Sequence, residues 1–547
     1  MQGFALRARE NGNVPTSVKY NNVRRLIHDE AVIQRAPSAQ KHLIRMKRGF
    51  IIYGLTYIFA LFAFPADGAT LPTSPKTASA APFLNKTFPT TALPGSATTQ
   101  PYSPDYSLRV IPQLHYLPPP GSGFTPSPPT GPLTGAGTYL SSHGIYLRAL
   151  AVDEFARNVT GGQKKGYGNS FAIPFGADID FDKLIGLRGS SLHITINKSI
   201  GNSLASDYTE NTVSFQTRYK SYHNFRLAAF AYTQKLFSER LIVTGGRISA
   251  LTFFDESSIY CNFQNNAFCF KPLSIALQNG AWNFFPFSSW GGFMKIRPTN
   301  RLHISGGIFE YDPTSYPTNG WNFGTSTSTG ISWGAEIGLH SQSVLDSHAY
   351  HIAAGAFGNT AAIADPYLNQ RYQPKLSAGG ASLMHSGQTG FYIQGDIVTM
   401  RFGENHRQNV TFFGGTAYEP ENYLKFKSQS TLGFIVSGLF ASRPNDTLGL
   451  AGTYYQLGDR QRKFLQLRRL RAGGHQSVYS DEGIIELNYN ALIMRGVHLM
   501  PNIQYVISPD NMLKSAYPYS SKNILTFGIR LTVEAGAVLG FPVYPGN

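Results

Sequence analysis

From Leu525 to Glu534 the chain alternates, with Leu525, Phe527, Ile529, Leu531 and Val533 on one phase and Thr526, Gly528, Arg530, Thr532 and Glu534 on the other. Successive side chains of a β-strand point to opposite faces, so a strand here puts an oily wall on one side and a wet wall on the other. Val497, Leu499, Ile503, Tyr505 and Ile507 repeat the pattern against His498, Asn502, Gln504 and Ser508. Leu192, Ile194 and Ile196 do so against His193, Thr195 and Asn197. Strict alternation over about 9–11 residues is what a membrane-spanning β-barrel demands of each strand.

The same rhythm predicts strands near 143–156, 170–180, 191–201, 223–235, 239–250, 286–297, 301–311, 331–343, 347–358, 377–386, 389–402, 424–441, 446–457, 482–493, 496–508 and 523–534. The fold class is therefore all-β, a transmembrane antiparallel barrel of about sixteen strands, and an even count suits a single-chain bacterial barrel. Short links such as Arg297-Pro298-Thr299-Asn300-Arg301 read as periplasmic turns, and the longer polar stretches 202–222 and 251–285 as external loops.

The first 135 residues do not share this pattern. Lys47 and Arg48 precede an apolar run from Gly49 to Phe64 and then the small residues Ala66-Asp67-Gly68-Ala69, the layout of an export signal over 46–69. Met46 stands directly before it, so 1–45 reads as an upstream extension. Fifteen of the 33 prolines fall between Thr70 and Gly135, among them Pro118-Pro119-Pro120. Such a segment cannot build a core and is expected to be extended or disordered in the periplasm, as a tether to cell wall or as a plain spacer. The barrel itself occupies 136–547.

Composition fits this division. Aromatic residues make up 13%, charged residues only 14%, and the chain holds 55 Gly. The mean hydropathy of −0.17 is too polar for a bundle of membrane helices, whereas a barrel averages its two faces. The net charge is +16; without residues 1–69, which carry ten Lys/Arg and four Asp/Glu, it is 37 minus 27, or +10. These cations are scattered singly among alternating strands, not gathered in the patch or stripe of a nucleic-acid binder. They fit a positive lumen or loops facing lipopolysaccharide. Cys261 and Cys269 lie close together in one expected loop, where a local disulfide and two free thiols both fit, and two cysteines alone make no metal centre.

Enzyme motifs fail on their context. Gly330-Ile331-Ser332-Trp333-Gly334 matches the hydrolase nucleophile pattern, but that pattern needs a strand-to-helix elbow, and Ala335 to His340 simply continue the alternation. No H-E-x-x-H pair and no phosphate loop occur, and nothing in the chain implies a cofactor.

Several stretches resemble the carbohydrate-selective outer-membrane porins of the glucose porin B type. They are Asn158-Val159-Thr160-Gly161-Gly162, Gly245-Gly246-Arg247-Ile248, Tyr260-Cys261-Asn262-Phe263 with Ala267-Phe268-Cys269, and Trp290-Gly291-Gly292 leading to Lys295-Ile296-Arg297-Pro298. Gly307-Ile308-Phe309-Glu310 with Asp312-Pro313, Ser442-Arg443-Pro444-Asn445-Asp446, Glu486-Leu487-Asn488-Tyr489, and Leu499 through Tyr505 with Ser508-Pro509 continue the match in order. The resemblance implies a sixteen-stranded outer-membrane barrel that passes small neutral sugars by diffusion, with one loop folded inward to narrow it. The chain departs from the pattern where Ala535 to Asn547 run on past the last good strand.

A sugar is neutral and covered in hydroxyls, so a selective constriction needs dense donors and acceptors, plus aromatic faces, binding weakly enough to release. The segment 251–285 is the expected infolded loop. It supplies Asp255, Glu256 and Trp282, the last beginning an aromatic cluster with Phe284, Phe285 and Phe287 that would equally serve as a membrane-interface girdle. Charges inside strands should face the lumen, because at the lipid midplane an Arg costs about 2–4 kcal/mol and a Glu somewhat less. That adds Arg148, Arg226, Arg247, Glu310, Glu486, Arg530 and Glu534 as pore-lining candidates. The competing readings are a general non-selective porin and an outer-membrane scaffold or adhesion barrel; monomer and homotrimer both fit.

Overall fold

A computed structural model describes residues 130–544, apart from 256, 258, 260, 261, 269, 270, 272, 344–345, 404–407 and 514–516. The expected upstream extension, export signal and nearly all of the proline-rich segment lie outside the described residues, as do Glu256, Cys261 and Cys269.

The described chain is one closed barrel of sixteen strands. They are β1 (Ile145–Thr160), β2 (Tyr167–Asp180), β3 (Ser190–Gly201), β4 (Phe225–Leu236), β5 (Leu241–Ile248), β6 (Ser289–Ile296), β7 (Leu302–Tyr311) and β8 (Gly330–His340). They continue as β9 (Tyr350–Asn369), β10 (Ser382–Phe402), β11 (Gln408–Tyr418), β12 (Phe426–Ser437), β13 (Thr447–Leu457), β14 (Asp481–Met494), β15 (Val497–Ile507) and β16 (Ile524–Glu534). Each pairs with its sequence neighbours, and β1 closes the ring antiparallel to β16. Closure leaves no unpaired edge, the only way a sheet can sit in lipid.

Alternation sets the two faces. On β16, Phe527, Ile529 and Leu531 are exposed on the outside, while Thr526 and Arg530 are buried toward the lumen. On β15, Leu499, Ile503 and Tyr505 are exposed and His498, Asn502 and Gln504 buried. The apolar face thus covers the outside, the reverse of a water-soluble domain, because the outside solvent is hydrocarbon.

Two strand expectations need correction, and they cancel in the count. Residues 382–386 of the expected 377–386 join 389–402 in one strand, β10, while Ser377 and Ala378 belong to a helical turn Lys375–Ala378. Gly387, at φ +72, sits at a register shift between Ser386 and Gln388, so what looks like a turn is a bulge inside a continuous strand. Conversely, β11 went unrecognised: its lumen phase carries Phe413 beside Asn409 and Thr411, and its outer phase carries Gly414 and Thr416 beside Phe412. Mixing the two faces in this way erases the oily and wet contrast on which the reading depends.

The links 237–240, 297–301 and 495–496 at one end are short, and the stretches 202–224, 249–288, 312–329, 458–480 and 508–523 at the other are long, which orients the short end to the periplasm. β9 and β10 are 20 and 21 residues long and rise past β8 and β11 on the external side. There Asp365 of β9 binds His385 of β10 and Arg460, at the start of an external helix Asp459–Arg471. At the periplasmic end a helix Thr134–Ser142 precedes β1, and a helical turn Ala535–Leu539 follows β16.

Candidate functional site

The lumen is narrowed by the loop joining β5 to β6, which folds inward and is tied to walls far apart around the ring. On one side the amides of Gln264 and Asn265 donate to the Glu486 carboxylate of β14 at 2.8 and 2.7 Å. Nearby, Asn488 donates to the Asn262 carbonyl, Asn502 to the Gln264 side chain, and Asn265 to Gln504. Six strands away, the Asp255 amide donates to Glu336 of β8 at 3.0 Å. Between these points Ser274 meets the Tyr455 hydroxyl at 2.6 Å, and Asn279 donates to Glu419 at 3.0 Å. Carboxylates accepting backbone N–H groups make some of the stronger protein hydrogen bonds, which suits a loop that must hold its shape in a water-filled tube.

Packing supplies the rest of the grip. Phe254 stacks on Trp282 at 5.1 Å, Trp282 meets Phe357 of β9 at 4.8 Å, and Phe253 stacks on Phe293 of β6 at 4.4 Å. The Trp282 indole donates to the Trp333 carbonyl at 3.0 Å. Such aromatic pairs contribute about 0.5–1.5 kcal/mol each beyond the area they bury. Burial pushes the Asp255 carboxyl well above the ordinary range.

The loop joining β3 to β4 folds in beside it. Gln216 donates to the Glu154 carbonyl, the Arg218 amide to the Glu154 carboxylate, and the Thr217 hydroxyl to the Gln264 carbonyl. Arg530 closes the knot, with Nε 3.0 Å from Glu154 and Nη2 donating to the Phe263 carbonyl at 2.7 Å. On the external side the Asp510 carboxylate accepts from the Thr212 amide and hydroxyl, and the Asp510 amide donates to Glu482. Burial pushes the Asp510 carboxyl up to about 6.

The candidate residues therefore divide. Glu486 and Arg530 face the lumen and serve as tethers of the infolded loops. Arg226 is buried at the rim, donating to the Ser315 and Tyr316 carbonyls at 2.6 and 2.8 Å, with its guanidinium over Phe287. Asp255 and Trp282 belong to the loop and its packing. Phe285 and Phe287 are buried, and Phe287 packs with Phe284 and Tyr316, so this cluster is not an exposed membrane girdle. Arg148 and Glu534 lie together at the periplasmic end, with Arg148 Nε 2.9 Å from Asp178.

Arg247 and Glu310 are corrections. Arg247 pairs across to Phe230 and Trp290, and Glu310 to Ile331, all on the outward phase. The two charges neutralise one another at 3.9 Å, and the Arg247 guanidinium lies 5.9 Å from the rings of both Trp290 and Phe323. Phe323 comes from the 312–329 loop, which shields the pair near the external rim. Paired and covered charges escape the penalty that argued for a lumen position.

Sequence reasoning missed Glu154 and Glu336, which anchor the loops as Glu486 does. Glu154 shares its phase with Arg148 on β1, so tracking parity along the strand would have found it. Ser332 is the third residue of β8, with the strand continuing to His340, and its hydroxyl donates to the Ala281 carbonyl, holding the loop instead of forming an elbow. Elsewhere the wall presents neutral groups in rungs: Thr233 with Thr244 at 3.0 Å, and Thr431 with Thr453 at 2.8 Å beside Gln429.

Comparison with known proteins agrees with this geometry. The carbohydrate-selective porin, OprB family, matches residues 164–534. Porin B of Pseudomonas aeruginosa is 25% identical over 396 residues, spanning 69% of this chain and 85% of that protein. The high-pH structure of Pseudomonas putida OprB superposes with a TM-score of 0.68 at 22% identity, covering 75% of this chain and all of the other, and so shares the barrel fold. The chain belongs to the carbohydrate-selective porin (OprB) family and is a porin of the outer membrane.

Proposed function

We propose that small neutral sugars cross this barrel by squeezing past the 249–288 loop and then moving along the hydroxyl and amide rungs of the wall. The observation that carries this reading is the tethering of the loop by its own backbone amides to Glu336 and Glu486, on strands six apart. A loop held in this way keeps a fixed aperture, and a fixed aperture discriminates by shape where a mobile one would not. The neutral rungs at Thr233, Thr244, Thr431, Thr453 and Gln429 offer exchangeable hydrogen bonds without a charge to trap the solute. Among the described residues, Arg148 and Glu534 are the charged candidates that remain for direct sugar contact. Arg226, Glu486 and Arg530 act through the loops they hold, and Arg247 and Glu310 act on stability alone.

The test is swelling of liposomes containing the refolded barrel. Glucose should enter faster than an amino acid of similar size and much faster than a disaccharide; equal rates for all three would leave a general porin, and no entry a scaffold. The export signal at 46–69 and the periplasmic spacer at 70–135 are part of the same proposal. A mature chain whose N-terminal sequence begins near Thr70 supports them, and one that retains Gly49 to Phe64 counts against them.

A further inference from the structure

The seam where β1 closes on β16 and pairs with β2 carries cations that no protein group answers. On β1 the lumen phase holds Glu154, Ala156 and Asn158, all buried, so Phe155 and Arg157 point outward. Arg157 lies three residues from the external end of that strand, paired across to Phe527 of β16 and to Tyr167 of β2. Both neighbours are exposed, and Tyr167 stacks on Phe155 at 5.9 Å. On β15 the outward Tyr505 continues the row, its hydroxyl accepting from the Asn523 side chain at 3.1 Å. Rings with a polar tip at this height suit the boundary between hydrocarbon and lipid headgroups.

Just beyond the rings stand Lys164 and Lys165, in the link from β1 to β2, and Lys522, in the link from β15 to β16. The two links touch, with the Gly162 amide donating to the Lys522 carbonyl at 3.3 Å. The inner side of the first link is occupied. There the Asn158 side chain donates to the Gly161 and Lys164 carbonyls, and the Lys164 amide donates to the Tyr208 carbonyl. Arg157, Lys164, Lys165 and Lys522 are all exposed, and among the described residues none of these four side chains makes a hydrogen bond or an ion pair. Acids in this region are engaged elsewhere: Asp153 accepts from Asn169, and Asp207 from Ser206. Like charges gathered without counter-ions repel one another, and an anion set among them relieves that repulsion.

We propose that this seam docks lipopolysaccharide of the outer leaflet, with the phosphates of its lipid A against Arg157, Lys164, Lys165 and Lys522 and its acyl chains along the wall of Phe155 and Phe527. Clustered cations beside an apolar surface match a phosphorylated lipid on both counts. Free phosphate would gain the charges but not the wall. The site lies on the outside of the barrel, so it is independent of what crosses the lumen.

The experiment titrates the full chain, refolded in detergent, with bisphosphorylated hexa-acyl lipid A and counts bound lipid by native mass spectrometry. Each cation removed should weaken binding about fivefold, so Lys165→Gln with Lys522→Gln should weaken it about 25-fold, and Arg157→Gln alone about fivefold. Lys463→Gln with Arg471→Gln removes the same charge from exposed positions on the external helix and should leave binding near the wild-type level. Wild type should hold dephosphorylated lipid A far more weakly, and inorganic phosphate should not displace the intact lipid. Equal loss in the two pairs, no loss in either, or equal binding of the phosphate-free lipid would overturn the site. Displacement by inorganic phosphate would overturn the lipid as its occupant.

Discussion

Glu486 shows how one side chain governs the aperture. Its two oxygens accept two loop amides, and an amide side chain can replace only one of them. Glu486→Gln should orphan a buried N–H at a cost of about 1–3 kcal/mol and loosen the loop. The swelling ratio of glucose to disaccharide is then expected to fall, while an unchanged ratio would mean that the aromatic contacts hold the loop alone. Asp510 gives a pH dependence of definite sign. Its carboxyl, raised by burial to about 6, binds a proton more tightly in the folded barrel than in the unfolded chain. Its contribution is fully present below about pH 4 and is lost as pH rises through about 6. Asp510→Asn should flatten the change in barrel melting over that window, and a slope equal to wild type would refute the assignment. Arg247 and Glu310 test the outward pair: Arg247→Met should destabilise by roughly 3 kcal/mol by leaving a covered carboxylate uncompensated, and adding Glu310→Leu should restore much of it. Sugar selectivity should not follow either change. The lumen positions of Glu486 and Arg530 were legible from strand parity. Those of Arg247 and Glu310 were misjudged because the cost of a lone charge in lipid was applied to a pair, and because Gly245 and Gly246 blank the alternation around Arg247.

At the scale of elements, the strands most easily read were those whose outer face is uniformly apolar, β15 and β16 above all. β11 was illegible because the lumen side of that strand bears Phe413, which packs 5.8 Å from Phe263 of the infolded loop. A porin that stuffs its own interior with a loop needs oily residues inside, and each one blurs the pattern. The same demand makes the loop a structural member as much as a filter. Trp282→Ala removes two aromatic contacts and the bond to the Trp333 carbonyl, and should cost about 3–5 kcal/mol. The expected readout is a lower temperature for conversion of the compact band to the heat-denatured one on a gel. A shift no larger than that of a surface substitution would show that the loop hangs free of the wall.

For the whole molecule, the barrel, its closure and its orientation were within reach of the sequence, because they depend on alternation and on link length. The tail was visible only as an unexplained run beyond Glu534. Its return to Tyr146, on which Tyr544 packs edge-on, depends on Gly540 and on contacts spanning some 400 residues of chain, which no local pattern encodes. The unequal height of the wall has a consequence of another kind. At about 3.3 Å per residue and a tilt near 45°, strands of 20 and 21 residues climb about 45–50 Å, well beyond an apolar band about 25 Å tall. The β9–β10 hairpin therefore projects beyond the membrane on the external side, whereas the 249–288 loop that narrows the lumen lies inside the barrel. A change confined to residues 370–381 is therefore expected to alter what binds the cell from outside and to leave the permeability ratio for sugars as it was.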